Sequence, residues 1–279
     1  VDVTLTFDIP VQMFLSALNR TFMENKNPFE TPVAKKEFNG FWIPSHNAKV
    51  FKEGLENNKA PFLPDQNGKI KAEPIYNAAT GYCLPANRLI PVQFAKLNKG
   101  YESNVVASRT SINGMDNSIR EGEKGVFYNF KDEKDGTIHT SSLFFAEQTE
   151  NPEVFMRISS EKIKQMDNLK DYSMVIGSSE PKEYLGSYLA ACKAGFNISV
   201  DPALASEFKA NIMPTLENDM KKIEEKNKEL PSLGNILFEA DKRSSEILKS
   251  LVQSKEVTQE QEKPKPKQTR KQNDNEYCF

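Results

Sequence analysis

The sequence predicts an α+β protein: an N-terminal helix plus a small antiparallel sheet with hairpins, then a helical C-terminal region and a disordered tail. Three observations predict it. Apolar residues recur at helical spacing near the start, an aromatic stretch alternates at strand spacing around residue 128, and capped helical segments fill the chain beyond about residue 150. The 279 residues accordingly divide into 1–150, 151–252 and 253–279, in keeping with roughly 100 to 200 residues per domain.

The first helix is predicted over 11–24, where Val11, Phe14, Leu15, Leu18 and Phe22 share one face and Pro10 stands at the start. Pro28 and Pro32 then deny helical geometry and backbone donors, so an extended segment follows. Gly40 and Pro44 bracket Phe41, Trp42 and Ile43, an aromatic knot that reads either as a buried plug or as an exposed stacking platform, and a short helical patch surrounds "NAKVFKEGLENN". Asn77 to Gly81 carries a turn signal, because Asn and Gly tolerate positive φ and Thr80 bonds locally. A second turn is predicted near "LPAN", with loops from there to residue 118.

The stretch "SIREGEKGVFYNF", residues 118–130, sets a charged glycine turn against an aromatic strand. Val126, Tyr128 and Phe130 alternate with Phe127 and Asn129, Asp135-Gly136 turns the chain back, and "TIHTSSLFFAEQ" answers as the second strand of a hairpin. Beyond it, Ser179 reads as an N-cap and Pro181 as first turn of a helix whose buried face is Tyr184, Leu185, Tyr188, Leu189 and Cys192, ending at Gly195. Asp201 and Pro202 start another helix, Pro214 is predicted to interrupt it, and helices continue through "GNILFEADKRSSEILKSLV". From Gln253 hydrophobes nearly vanish, and "KPKPKQTRK" reads as a phosphate-binding arm or a solubilising terminus.

Composition bounds the chemistry. Hydrophobic residues make up 38%, charged residues 27%, and the formal charge of −2 offers no global basic field to a nucleic acid. Residues 61–130 carry eight Lys or Arg against six acids, so any such binding is local. No window reaches the roughly 18 apolar residues of a membrane span, and no secretory leader is read at the start. Cys83, Cys192 and Cys278 are too scattered for a disulfide framework or a metal knuckle, which points to a reducing compartment. His46 and His139 sit in no HExxH pattern and beside no nucleophile signature, and "GEKG" lacks the spacing of a phosphate-cradling loop. The expectation is no catalytic residue, no metal and no cofactor.

Several of these motifs together resemble the N-terminal domain of ArdC-type antirestriction proteins of conjugative plasmids and phages. The residues that carry the resemblance are Asn27 to Phe29 after the first helix, Asn77, Thr80 and Gly81 followed by Asn87, the "GYESNVVAS" segment, and Arg120 with Gly122 to Gly125 leading into a strand. It covers roughly residues 10–147, and "EYLGSYLAACKAGF" with "DPALASEFK" is similar to a helical extension of some relatives. Residues 34–68 look like an insertion, "NVVASRTSI" replaces an aromatic-rich step, and the family's C-terminal metalloprotease motif is absent.

The resemblance implies non-enzymatic single-stranded DNA binding that protects incoming DNA from restriction, in the cytoplasm of a bacterial host cell. Single-strand binders pair cations with the backbone and stack bases on aromatic faces. Arg120 and Lys124 are the expected phosphate partners, extended by Arg88, Lys96 and Arg109 into a basic groove, while Tyr76, Tyr82, Tyr101 and Tyr128 or Phe127 offer stacking surface. For Tyr128 the competing reading is core packing. The competing function is a protein-interaction or virion-associated module that has lost nucleic-acid binding, with a host-defence or virion protein as partner and no membrane.

Overall fold

The computed structural model describes residues 42–131, 137–163, 169, 171–225 and 232–262. The helix predicted over 11–24, the match at Asn27 to Phe29, the "KDEKDG" turn from Asp132 onward, the "KPKPKQTRK" stretch and Cys278 lie outside the described residues. Along the chain run α1 (Trp42–Glu56), β1 (Lys69–Ile70), β2 (Tyr76–Asn77), α2 (Ala86–Lys99), β3 (Val105–Ser108), α3 (Arg109–Asn113), β4 (Val126–Lys131) and β5 (Ile138–Phe145). A 3-10 turn (Ala146–Gln148), α4 (Pro152–Ser160), β6 (Ser173–Ile176), α5 (Pro181–Ala194), β7 (Asn197–Val200), α6 (Pro202–Glu224) and α7 (Ser232–Glu262) complete it. The class is α+β, as the sequence predicts.

Two small sheets share the work. One orders β2-β3-β5-β4 and the other β1-β7-β6. The predicted hairpin is present as β4 and β5, antiparallel from Val126 opposite Leu143 to Lys131 opposite Ile138. The sheets are mixed rather than purely antiparallel, because β2 runs parallel to β3 and β6 parallel to β7. Period two is visible where the first sheet is covered on both sides: Val106, Leu143 and Phe145 enter the main core, while Val105, Ala107 and Phe144 face a second cluster with Ile112 and Phe155.

The main core runs from Ala48 to Leu248 without a seam at residue 150. Antiparallel pairing of β1 with β7 joins the two predicted halves directly. At its centre α5 is buried nearly all round, and Gly186 lets α7 approach so closely that a Cβ there would stand 2.8 Å from the Arg243 side chain. Phe62 stacks on Phe51 at 4.8 Å and meets Phe208 and Tyr188 edge-on, and Tyr184 lies on Phe208 at 4.0 Å while its hydroxyl donates to the Phe62 carbonyl at 3.0 Å.

Several predicted boundaries move, each for a physical reason. The "LPAN" segment is not a second turn but the start of α2, with Pro85 as N-cap and Pro91 tolerated inside the helix. Pro85 offers no side-chain cap, so Asp241 of α7 accepts from the Ala86 N–H at 3.0 Å instead. Pro214 does not interrupt α6. It and Ala210, whose carbonyl loses its helical partner, both lie on the exposed face open to solvent, while Ile212 and Leu216 hold the helix to the core. The cap of α5 is Glu180, one residue after Ser179, accepting from the Glu183 N–H at 3.1 Å. The C-terminal half also holds strands β6 and β7, and α7 continues to Glu262, past Gln253 where the sequence predicts the tail to begin, because its Gln, Glu and Lys residues favour helix. Among the described residues no helix is long and apolar enough to cross a membrane.

Candidate functional site

The charged turn of residues 120–125 is stitched to the segment after β5. Arg120 N–H donates to the Gln148 carbonyl at 2.9 Å, Glu150 N–H to the Ser118 carbonyl at 2.9 Å, and buried Asn117 accepts from Asn151 N–H at 3.1 Å. Gly122 supplies a φ of +82°, and a Cβ on Gly125 would fall 2.8 Å from both the Leu143 carbonyl and the Phe144 ring. Both glycines are therefore explained by turn geometry and packing. The same holds upstream: Asn77 Oδ1 accepts from Ala79 N–H at 2.9 Å, its carbonyl accepts from Gly81 N–H at 2.7 Å, and Gly81 has a φ of +75°.

Two residues missed by sequence reasoning organise this region from one 3-10 turn. Gln148, buried, accepts from Phe145 N–H at 3.0 Å and donates to Glu123 Oε2 at 2.9 Å and to the Lys124 carbonyl at 3.0 Å. Glu147 Oε1 accepts from the backbone N–H groups of Glu102 at 2.8 Å and Ser103 at 2.6 Å. One three-residue turn thus fixes the loop that carries Tyr101 and the loop that carries Lys124. The sequence signal is weak, an acid and an amide directly after an aromatic strand.

The expected binding residues meet different fates. Lys96 is spent internally on Glu73 Oε2 at 3.0 Å and on Asn104, and Arg120 on Glu123 at 3.2 Å and on the Glu147 carbonyl. Arg88 lies over the Tyr128 ring at 4.3 Å, its Nε buried without a hydrogen-bond partner among the described residues, and burial lowers its pKa. That makes Tyr128, itself 8% exposed, part of the core, with Tyr76 of β2 also buried. Arg109, at the start of α3, is exposed with its guanidinium 5.6 Å from the Phe144 ring. Tyr82 is half-buried after the Asn77 turn.

Tyr101 and Lys124 come together. They line a cleft of about 270 Å³ with Phe127, between α1, α2 and the start of α7. Its walls include Val50, Phe51, Ile90, Phe94, Leu233 and Leu237, and its polar lining includes His46, Asn47, Asn98, Lys99 and Gln148. Tyr101 packs on Phe145 at 4.9 Å, and burial, then Glu123 and Glu147, raise its pKa, with Arg120 opposing. Phe127 is 38% exposed. Lys99 and Lys124 are exposed, and neither ammonium has an acid within ion-pair distance among the described residues. The cleft can therefore offer an apolar, aromatic-edged surface beside two available cations.

Of the five cations expected to form a basic groove, Lys124 lines this cleft and Arg88, Lys96, Arg109 and Arg120 do not. His46 lies at the cleft and His139 in β5 opposite Phe130, and among the described residues no three His, Cys, Asp or Glu side chains gather to hold a metal.

No family model and no curated protein matches the chain. Two solved structures of the antirestriction ArdC protein from the R388 plasmid align with it at 12% identity. The metal-free structure has a TM-score of 0.43, covering 72% of this chain and 98% of that one. The Mn(II)-bound structure has a TM-score of 0.47, covering 73% and 96%. At these values the overlap decides neither family nor activity.

Proposed function

We propose that this protein is a non-enzymatic single-stranded DNA-binding protein of a phage or conjugative element that protects DNA from host restriction. The observation that carries the proposal is the cleft, where Lys99 and Lys124 stand beside Tyr101 and Phe127. Cations that neutralise phosphates, placed next to aromatic faces and an apolar recess, are the parts a single-strand site uses. The sequence resemblance at Asn77, Thr80, Gly81 and Arg120 to Gly125 supports the antirestriction role, and the pinning of the Tyr101 and Lys124 loops supports a preformed surface.

Fluorescence anisotropy of a labelled single strand, with duplex as competitor, tests it. Salt-sensitive binding with single-strand preference is expected. Lys99→Ala with Lys124→Ala should lower affinity and reduce the slope of log affinity against log salt by about 0.7 for each phosphate no longer neutralised. Unchanged affinity and slope would remove these residues from the site.

A second reading is a protein-interaction module. The apolar walls of the cleft and the internal use of Lys96, Arg120 and Arg88 favour it. Absence of single-strand binding at low salt, together with specific retention of a host-defence or virion protein, would select it.

A further inference from the structure

We propose, resting on the single-strand reading above, that the cleft is a subsite for one unstacked base. Its volume of about 270 Å³ lies just under the roughly 300–1,000 Å³ of pockets that enclose drug-sized ligands, so it suits a single ring system rather than a run of stacked bases. Val50, Phe51, Ile90 and Phe94 give the ring an apolar seat, and Tyr101 and Phe127 add aromatic surface. Lys99, from the end of α2, and Lys124, from the turn before β4, are available to the phosphates flanking that one nucleotide.

The polar lining adds selectivity. Asn47 and Asn98 line the cleft, and neither side-chain amide has a hydrogen-bond partner among the described residues. An amide presents both a donor and an acceptor, the combination that matches the hydrogen-bonding edge of an unpaired base. A strand gripped through phosphates alone would bind irrespective of its bases, whereas this cleft makes one base contribute to affinity and its identity matter.

A short single-stranded oligonucleotide is compared with the same strand carrying abasic sites throughout, at equal charge and equal salt. The base-bearing strand is expected to bind roughly ten-fold more tightly, in line with stacking contributions in single-strand sites. Ala95→Phe, which fills the cleft from α2, should bring both strands to the abasic level without changing salt dependence. Equal binding of the two strands by the unaltered protein would overturn the subsite while leaving the single-strand reading intact. No binding of either strand would overturn both. An Ala95→Phe protein that folds, by circular dichroism, and keeps the full difference would place the base elsewhere and overturn the proposal.

Discussion

The buried side-chain amide of Gln148 donates to the main-chain carbonyl of Lys124 at 3.0 Å, so the position of an exposed lysine is set from the core side of the sheet. The same amide also answers the Phe145 N–H and the Glu123 carboxylate. Gln148→Leu keeps the volume but strands the Phe145 donor and the Lys124 acceptor. A loss of about 1–3 kcal/mol for each polar group left buried without a partner is expected, read as a lower urea midpoint. An unchanged midpoint would show that water substitutes for the amide.

Three turn glycines should not be equivalent. A Cβ on Gly81 would collide with the Lys162 carbonyl in addition to straining a φ of +75°, whereas Gly122, at +82°, has open space around it. Gly122→Ala is expected to cost about 1 kcal/mol from backbone strain alone. Gly81→Ala should cost clearly more, because backbone must move. Gly125→Ala belongs with Gly81, since the Leu143 carbonyl and Phe144 ring crowd it at 2.8 Å. Thermal melts of the three variants would rank them, and equal losses would contradict the crowding argument.

How much of the fold is legible in the sequence depends on how local the signal is. The β4–β5 hairpin, the Asn77 turn and the buried face of α5 follow from local periodicity and turn chemistry, and all three are readable. The helix α2 is hidden by Pro85 and Pro91, and the cap that Pro85 cannot supply comes from Asp241, 155 positions away. Strand β1 is two residues long and exists only because β7 pairs with it. At the site, composition suggests cations and tyrosines but not which are free. Arg120 and Lys96 read as ligand-binding charges until Glu123 and Glu73 are found beside them, and Lys99 gains its place only through the folding of α2 against the end of the 120–125 turn and the start of β4.

Asp241 makes a prediction about the helical half. It accepts from Lys193 Nζ at 2.9 Å as well as from the Ala86 N–H, and Lys193 is only 7% exposed. Removing one partner leaves the other charge buried, so Asp241→Ala should destabilise by about 3–5 kcal/mol. Asp241→Asn retains an acceptor for the α2 cap and should lose less. Urea denaturation of both variants checks the order, and similar losses would assign the whole effect to the ion pair.

Arg88 separates stability from binding. Its guanidinium lies over Tyr128, where a cation–π contact contributes about 0.5–2 kcal/mol. Arg88→Met should lower the melting temperature while leaving the single-strand affinity of the folded protein unchanged. A large drop in affinity with little change in melting would instead place Arg88 in contact with nucleic acid.

The two described cysteines lead to a pH dependence. Burial, above all, pushes the Cys83 thiol from 9.0 to about 11, despite Lys193 nearby, and pushes the Cys192 thiol up further. Both stay protonated at neutral pH in the folded state, so the native protein should react slowly with a thiol reagent at Cys83 and Cys192 and rapidly once unfolded. The unfolded chain releases these protons near its ordinary thiol value while the folded chain holds them. Stability should therefore be at its full value below about pH 8 and decline as pH rises through 9 toward 11, the range set by Cys83. Comparing urea midpoints at about pH 8 and about pH 10 for the protein and for Cys83→Ala with Cys192→Ala tests the assignment. The double variant should lose less stability between the two conditions, and an identical alkaline loss would assign it to other groups.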